Sequence, residues 1–122
     1  MAQPGSALDT AVLGELRESV GDDPAFVAEL IDEFFADAPA QLLSLRDAVA
    51  AGDAAAARRA AHTLKGNGRT FGAGELAALC QQAEAAAAAG DLGAAASQLD
   101  EIEHEWARVR SELLALRDAG TW

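Results

Sequence analysis

Tyrosine is missing from this 122-residue chain, aromatic residues make up only 5% of it, and there is a single cysteine, Cys80. One cysteine cannot form an intramolecular disulfide, which leaves a reduced, cytoplasmic setting as the expectation and the protein core as the place for the thiol. β-Branched and aromatic residues, the usual material of strands, are scarce. No run of about 18 apolar residues is present, so no membrane span is expected. The opening MAQPGSALDT has neither the basic n-region nor the apolar h-region of a secretory signal. Phosphate-binding and kinase signatures are also lacking: there is no G-x-x-x-x-G-K-[ST] run and no kinase motif set. His62, His104 and Cys80 have no metal-ligand spacing, and no catalytic carboxylate pair or nucleophile–base pair emerges. No bound metal or cofactor and no autonomous kinase or phosphatase activity are expected.

What remains is alanine-rich and acidic. The abundance of alanine predicts an all-α fold. Residues 1–7 read as a loose tail, 8–119 as one helical domain and 120–122 as a short C-terminal tail. A first short helix is expected over about 9–20, stopped by Gly21. Asp23-Pro24 supplies an N-cap and a proline at the first helical position. From there Phe26, Leu30, Phe34, Leu42, Leu45 and Val49 mark an apolar stripe up to Gly52, with Pro39 predicting a kink near 35–39 rather than two helices. Gly52-Asp53 and Gly90-Asp91 each read as a stop followed by a cap, bracketing helices of about 53–69, 74–89 and 91–118. In the last, Leu92, Leu99, Trp106 and Leu113 recur every seven residues, interleaved with Ala95, Ile102, Val109 and Leu116. Such a seam suits helices packing at shallow angles, and short connections make neighbours antiparallel. The expectation is an antiparallel up-down four-helix bundle with a short additional N-terminal helix. AAGD occurs at 50–53 and 88–91, but two copies with unmatched flanks make a poor repeat array.

Net charge is −11, which weighs against nucleic acid and anionic membranes as partners. The basic residues are not evenly spread. Arg58, Arg59, Lys65 and Arg69 lie between Asp53 and Glu75 with no acidic residue among them, leaving five bases against 20 acids elsewhere. On a wheel of about 100° per residue, Ala57, Ala60, Ala61, Leu64, Gly68 and Phe71 share the core face of this segment. His62 falls on the outer side with Arg58, Lys65 and Arg69, and Gly66 lies one turn from it. Cations beside an imidazole favour its neutral, nucleophilic form, and they attract anions. An exposed histidine with a bare surface beside it and three cations around it suits a phosphoryl acceptor. The competing reading is an ordinary solvated histidine on a solvated basic face. His104 supplies the internal contrast. It also faces away from its seam, but Asp100, Glu101, Glu103 and Glu105 surround it, so it reads as solvated and inert.

The segment AHTLKGNGRTFGAGELAALCQQAE, residues 61–84, resembles the histidine-containing phosphotransfer (HPt) domain of bacterial phosphorelays, with its H-x-L-K-G core, then L/F-G-A and L-x-x-L-C. The preceding FFADAPAQLLSLRDAVAAGD resembles the second long helix of that family. The resemblance implies a phosphorelay intermediate. His62 would take a phosphoryl group on Nε2, with Lys65 stabilising its oxygens and Gly66 giving a partner access; beside the resemblance, the wheel offers Arg58 and Arg69 as further positive charge for the phosphoryl group. Gly68 would allow close helix packing, and Glu84 on the next helix would orient the imidazole through Nδ1. A solvated rim glutamate is the competing reading of Glu84. Asn67 stands where family members often have serine, free either to cap preceding carbonyls or to bond across the bundle; Gly68 and Arg69 stand where alanines are common.

The implied partners are response-regulator receiver domains and a hybrid sensor histidine kinase, with Mg²⁺ only on the receiver's side. A monomer is the default, although Trp122 and the alanine-rich surfaces leave self-association open. The alternative function is a helical adaptor that binds such domains without phosphoryl chemistry.

Overall fold

Aspartate starts four of the five helices that the computed structural model describes over residues 6–119. These are α1 (Thr10–Ser19), α2 (Pro24–Ala51), α3 (Ala54–Thr70), α4 (Gly74–Ala88) and α5 (Leu92–Ala119). The carboxylates of Asp9, Asp23, Asp53 and Asp91 accept from backbone N–H groups in the first turns of α1, α2, α3 and α5. Each cap satisfies a donor that has no intrahelical partner. Only α4 begins without a side-chain cap, on Ala73.

The stops are equally uniform. Gly21, Gly52, Gly72 and Gly90 all have φ between 72° and 76°. After each, the following N–H reaches back five residues: Asp22 to Arg17, Asp53 to Ala48, Ala73 to Gly68 and Asp91 to Ala86. This is the Schellman arrangement, which needs a left-handed residue that glycine adopts without steric cost. The chain therefore turns sharply at each glycine, and after Gly21, Gly52 and Gly90 an aspartate restarts it.

Four helices close a ring: α2 packs on α3, α3 on α4, α4 on α5, and α5 back on α2, while α1 lies against α3. This is the expected all-α bundle with its extra N-terminal helix. The predicted core face of α3 is buried at every position, as are Leu76, Leu79, Cys80 and Ala83 of α4. The seam of α5 buries Ala95, Leu99, Ile102, Trp106, Val109 and Leu113. At one end Phe34 stacks on Phe71 with ring centroids 4.4 Å apart and meets Trp106 edge-on at 5.0 Å. Burial pushes the Cys80 thiol up to about 12, so it sits in the core as an unreactive group.

The helix α2 runs unbroken through Pro39. Its stripe differs from the expected one. Val27, Ile31, Phe34, Ala38, Leu42, Leu45 and Ala48 are buried, whereas Phe26 is 45% exposed, and Leu43 is 60% exposed. Phe26 and Val27 differ by one position, or about 100° on the helix, and hydrophobicity alone does not choose between them.

The N-terminal boundary also differs. Ala7 and Leu8 are buried, the Ala7 N–H donates to Glu112, and the Ser6 hydroxyl donates to the same carboxylate at 2.8 Å. Residues 6 and 7, read as tail, are thus docked on α5 by a carboxylate 105 residues away. The rest of the two expected tails, with Trp122, lies outside the described residues. No helix among the described residues is long and apolar enough to cross a membrane.

Candidate functional site

His62 sits on the middle of α3 with its side chain 66% exposed. Across the groove, on α4, the Glu84 side chain is only 14% exposed and accepts from the imidazole: Nδ1 to Oε2 is 2.8 Å. The second oxygen of the same carboxylate accepts from Lys65 Nζ at 2.5 Å. A hydrogen bond from Lys65 holds the Glu84 carboxyl below the usual carboxylate range; partial burial opposes this, and the bond from His62 adds to it. An ionised carboxylate only accepts hydrogen bonds. The proton on the imidazole is therefore assigned to Nδ1, which leaves the Nε2 lone pair directed away from Glu84 in the neutral ring.

Glu84 is consequently no solvated rim residue. It is the hinge of a three-residue chain linking the histidine to the lysine. Lys65 corrects the sequence reading. It was expected on the outer face with the arginines, yet its side chain is 11% exposed and Nζ also donates to Gln81 Oε1 at 2.9 Å. At i+3 from His62, its Cα lies on the flank of α3 that α4 covers, and the long side chain lies along the groove. Three free cations around the ring are thus not what the fold provides; one of them is neutralised by a carboxylate.

Arg58 remains exposed and, with Arg59, Ala55, Thr63 and Glu84, lines the shallow depression that contains His62. Arg69 is exposed near the end of α3 and does not line this depression. Gly66 faces open space: a Cβ there would meet nothing within 4 Å. Gly68 faces inward, where a Cβ would come within 3.4 Å of the Ala73 carbonyl and the Ala77 nitrogen. The two glycines do opposite things on one helix. Asn67 takes the cross-bundle option, donating to Asp37 Oδ2 of α2 at 2.8 Å.

Two residues escaped the sequence reading. Gln81 stands three positions before Glu84, so both project from one side of α4, and that spacing was the available signal. Arg59 was counted in the basic island but not placed beside the histidine, although its i−3 spacing from His62 allows it. His104 is exposed on α5, above a depression lined by Glu75, Asp100, Glu101, Glu105 and Arg108, with Ser6 and Leu79. Glu105 is the surprise there. It is buried, with Oε1 accepting from Arg108 at 2.7 Å and Oε2 without a hydrogen-bond partner among the described residues. No three His, Cys, Asp or Glu side chains among the described residues converge as a metal site.

The family model for the Hpt domain matches residues 29–112. Among solved structures, the chain is similar to histidine-containing phosphotransfer protein B (HptB) from Pseudomonas aeruginosa PAO1. The identity is 36%, the alignment covers 97% of this chain and 98% of that one, and the TM-score is 0.84. It also shares its fold with the histidine-containing phosphotransfer protein ZmHP2 from maize, at 21% identity, 93% and 85% coverage and a TM-score of 0.78. A comparison with curated proteins finds no match. The family match spans most of the bundle, and the resemblance to HptB spans nearly the whole chain. The chain belongs to the Hpt family, the histidine phosphotransfer domains of two-component phosphorelays.

Proposed function

We propose that His62 is the phosphoacceptor and that this protein shuttles a phosphoryl group between receiver domains. The observation that carries the reading is the Nδ1–Glu84 contact at 2.8 Å on an imidazole that is otherwise open to solvent. In the forward step the Nε2 lone pair attacks the phosphorus of a receiver's aspartyl phosphate. The N–P bond forms, the aspartate O–P bond breaks, and the electron pair leaves with the aspartate carboxylate. The proton on Nδ1 stays against Glu84 throughout, so no separate base is needed. The reverse step returns a neutral imidazole and phosphorylates the next receiver.

Mg²⁺ belongs to the receiver, which supplies the metal and the aspartate. Gly66 leaves room for that partner beside the ring. The protein acts as a carrier without kinase or phosphatase activity of its own, as a monomer in the cytoplasm, where receivers and hybrid sensor kinases work. Docking onto the His62 face brings Arg58 and Arg59 against the acidic pocket of the receiver.

The test is incubation with a phosphorylated receiver, comparing the wild type with His62→Gln. The wild type acquires an acid-labile, base-stable phosphate and the variant does not. Equal labelling of both would sink the assignment. Receiver binding without any transfer would favour the adaptor reading, and light scattering of the free protein checks the monomer.

A further inference from the structure

We propose that Lys65 acts on phosphoryl transfer through Glu84, as a positioning residue seated by Gln81, while Arg58 and Arg59 are the cations that meet the phosphoryl group. This rests on His62 being the phosphoacceptor. It departs from the role the family resemblance implies for Lys65, which is direct contact with phosphoryl oxygens.

Two of the three N–H donors of Lys65 are already engaged on α4. Its ammonium is held by Glu84 Oε1 at 2.5 Å and Gln81 Oε1 at 2.9 Å, its side chain is nearly covered, and it does not line the depression around His62. A swing of Nζ toward a phosphoryl group on Nε2 would loosen its hold on Glu84 and Gln81. The two oxygens of Glu84 have separate tasks: Oε2 receives Nδ1–H and Oε1 receives Nζ. Lys65 thereby fixes the rotation of the carboxylate and, through it, the plane and tautomer of the ring. Gln81 is suited to its place because an amide oxygen anchors the ammonium without competing for its charge. Nδ1 and Nε2 lie on different edges of the imidazole, so the group that holds one is not placed to serve the other.

The phosphoryl side has its own cations. Arg58 and Arg59 precede His62 by four and three residues, one turn away on the same helix, and both line its depression. Neither has an ion pair among the described residues, so neither must be released to bind an anion. Guanidinium groups match phosphoryl oxygens in charge and in bidentate geometry. As the N–P bond forms, the ring becomes a phosphoimidazolium. Its positive charge then faces Glu84, while the phosphoryl oxygens face the arginines.

Potassium phosphoramidate, a small donor that needs no docking surface, provides the test, with His62 phosphorylation followed by ³¹P NMR and the ring tautomer by ¹⁵N NMR. We expect Lys65→Met to slow phosphorylation about tenfold in the wild type but less than about twofold in a Glu84→Ala background, because the lysine works through that carboxylate. The ¹⁵N shifts of Lys65→Met should move toward the Nε2–H tautomer. Arg58→Gln/Arg59→Gln should slow the reaction by the same factor in both backgrounds. Gln81→Ala changes an exposed side chain and keeps the test independent of folding; it should slow the reaction about threefold with Lys65 present and not in Lys65→Met. Equal slowing by Lys65→Met in both backgrounds with an unchanged tautomer would overturn the proposal and make the lysine a direct phosphoryl contact. If the wild type takes up phosphate no better than His62→Gln, the phosphoacceptor reading falls and this proposal with it.

Discussion

His62 and His104 are the chain's two histidines, both exposed on helices of one bundle. Around His62 the nearest carboxylate comes from another helix and is itself held by a lysine and an amide. Around His104 the carboxylates of Asp100, Glu101 and Glu105 come from its own helix, with Glu75 from α4, and no hydrogen bond to the ring joins them. Acidity near a histidine is thus a poor guide to its role. The difference lies in whether one oxygen is fixed on one ring nitrogen. A cross-helix contact of 2.8 Å selects a tautomer; neighbouring carboxylates that make no bond to the ring do not.

The sharpest way to break this comparison is to exchange the histidines' fates. His62→Gln should abolish labelling from a phosphorylated receiver, whereas His104→Gln should retain it in full, as gel assays of the phosphoprotein will report. Labelling lost from both would mean that the two sites are not separate.

Gly66 and Gly68 extend the contrast along α3. Gly66→Leu fills empty surface beside His62 and should slow transfer from a receiver about tenfold or more. It should also raise helix stability by up to about 1 kcal/mol. Gly68→Leu drives a side chain against Ala73 and Ala77 and should cost about 1–3 kcal/mol in denaturant melts. A destabilised Gly66→Leu would contradict the open surface.

The Glu84 clamp has a pH signature. Because the folded carboxyl titrates below its unfolded value, its stabilising contribution is complete above the ordinary glutamate range. That contribution is lost as pH falls through the depressed folded value. A ¹³C titration of Glu84 should show the low midpoint, and Lys65→Met should move it upward by removing the largest cause. An unmoved midpoint would mean that Lys65 does not hold the carboxylate. The smallest effect is expected at His104: His104→Gln should change stability by less than about 0.5 kcal/mol in the same melts.

The helices were legible because glycine and aspartate punctuate them. Gly52-Asp53 and Gly90-Asp91 end one helix and cap the next through local geometry that a few residues encode. The inward face of α3 was legible from period alone. Lys65 was not, because a wheel gives the direction of Cβ and not which neighbouring helix covers the rest of a long side chain. Phe26 failed for a related reason: two adjacent apolar residues compete, and tertiary packing chooses Val27. Glu84 was placed at the edge of its stripe, but its grip on two residues of α3 depends on the separation of the helices, which no single-helix pattern contains. The burial of Glu105 is likewise a property of packing, hidden within an acidic run.

Gly72 bears on how the chain assembles during synthesis. Its backbone comes so close to α1 that a Cβ would stand 2.6 Å from the Asp9 carbonyl, and its own carbonyl accepts from the Asp9 N–H at 2.8 Å. Helix α1 leaves the ribosome before the corner at Gly72, some sixty residues later in the chain, against which it docks. An isolated ten-residue helix is marginal in water. The N-terminal helix must wait, tethered but undocked, until the turn at residue 72 emerges to receive it.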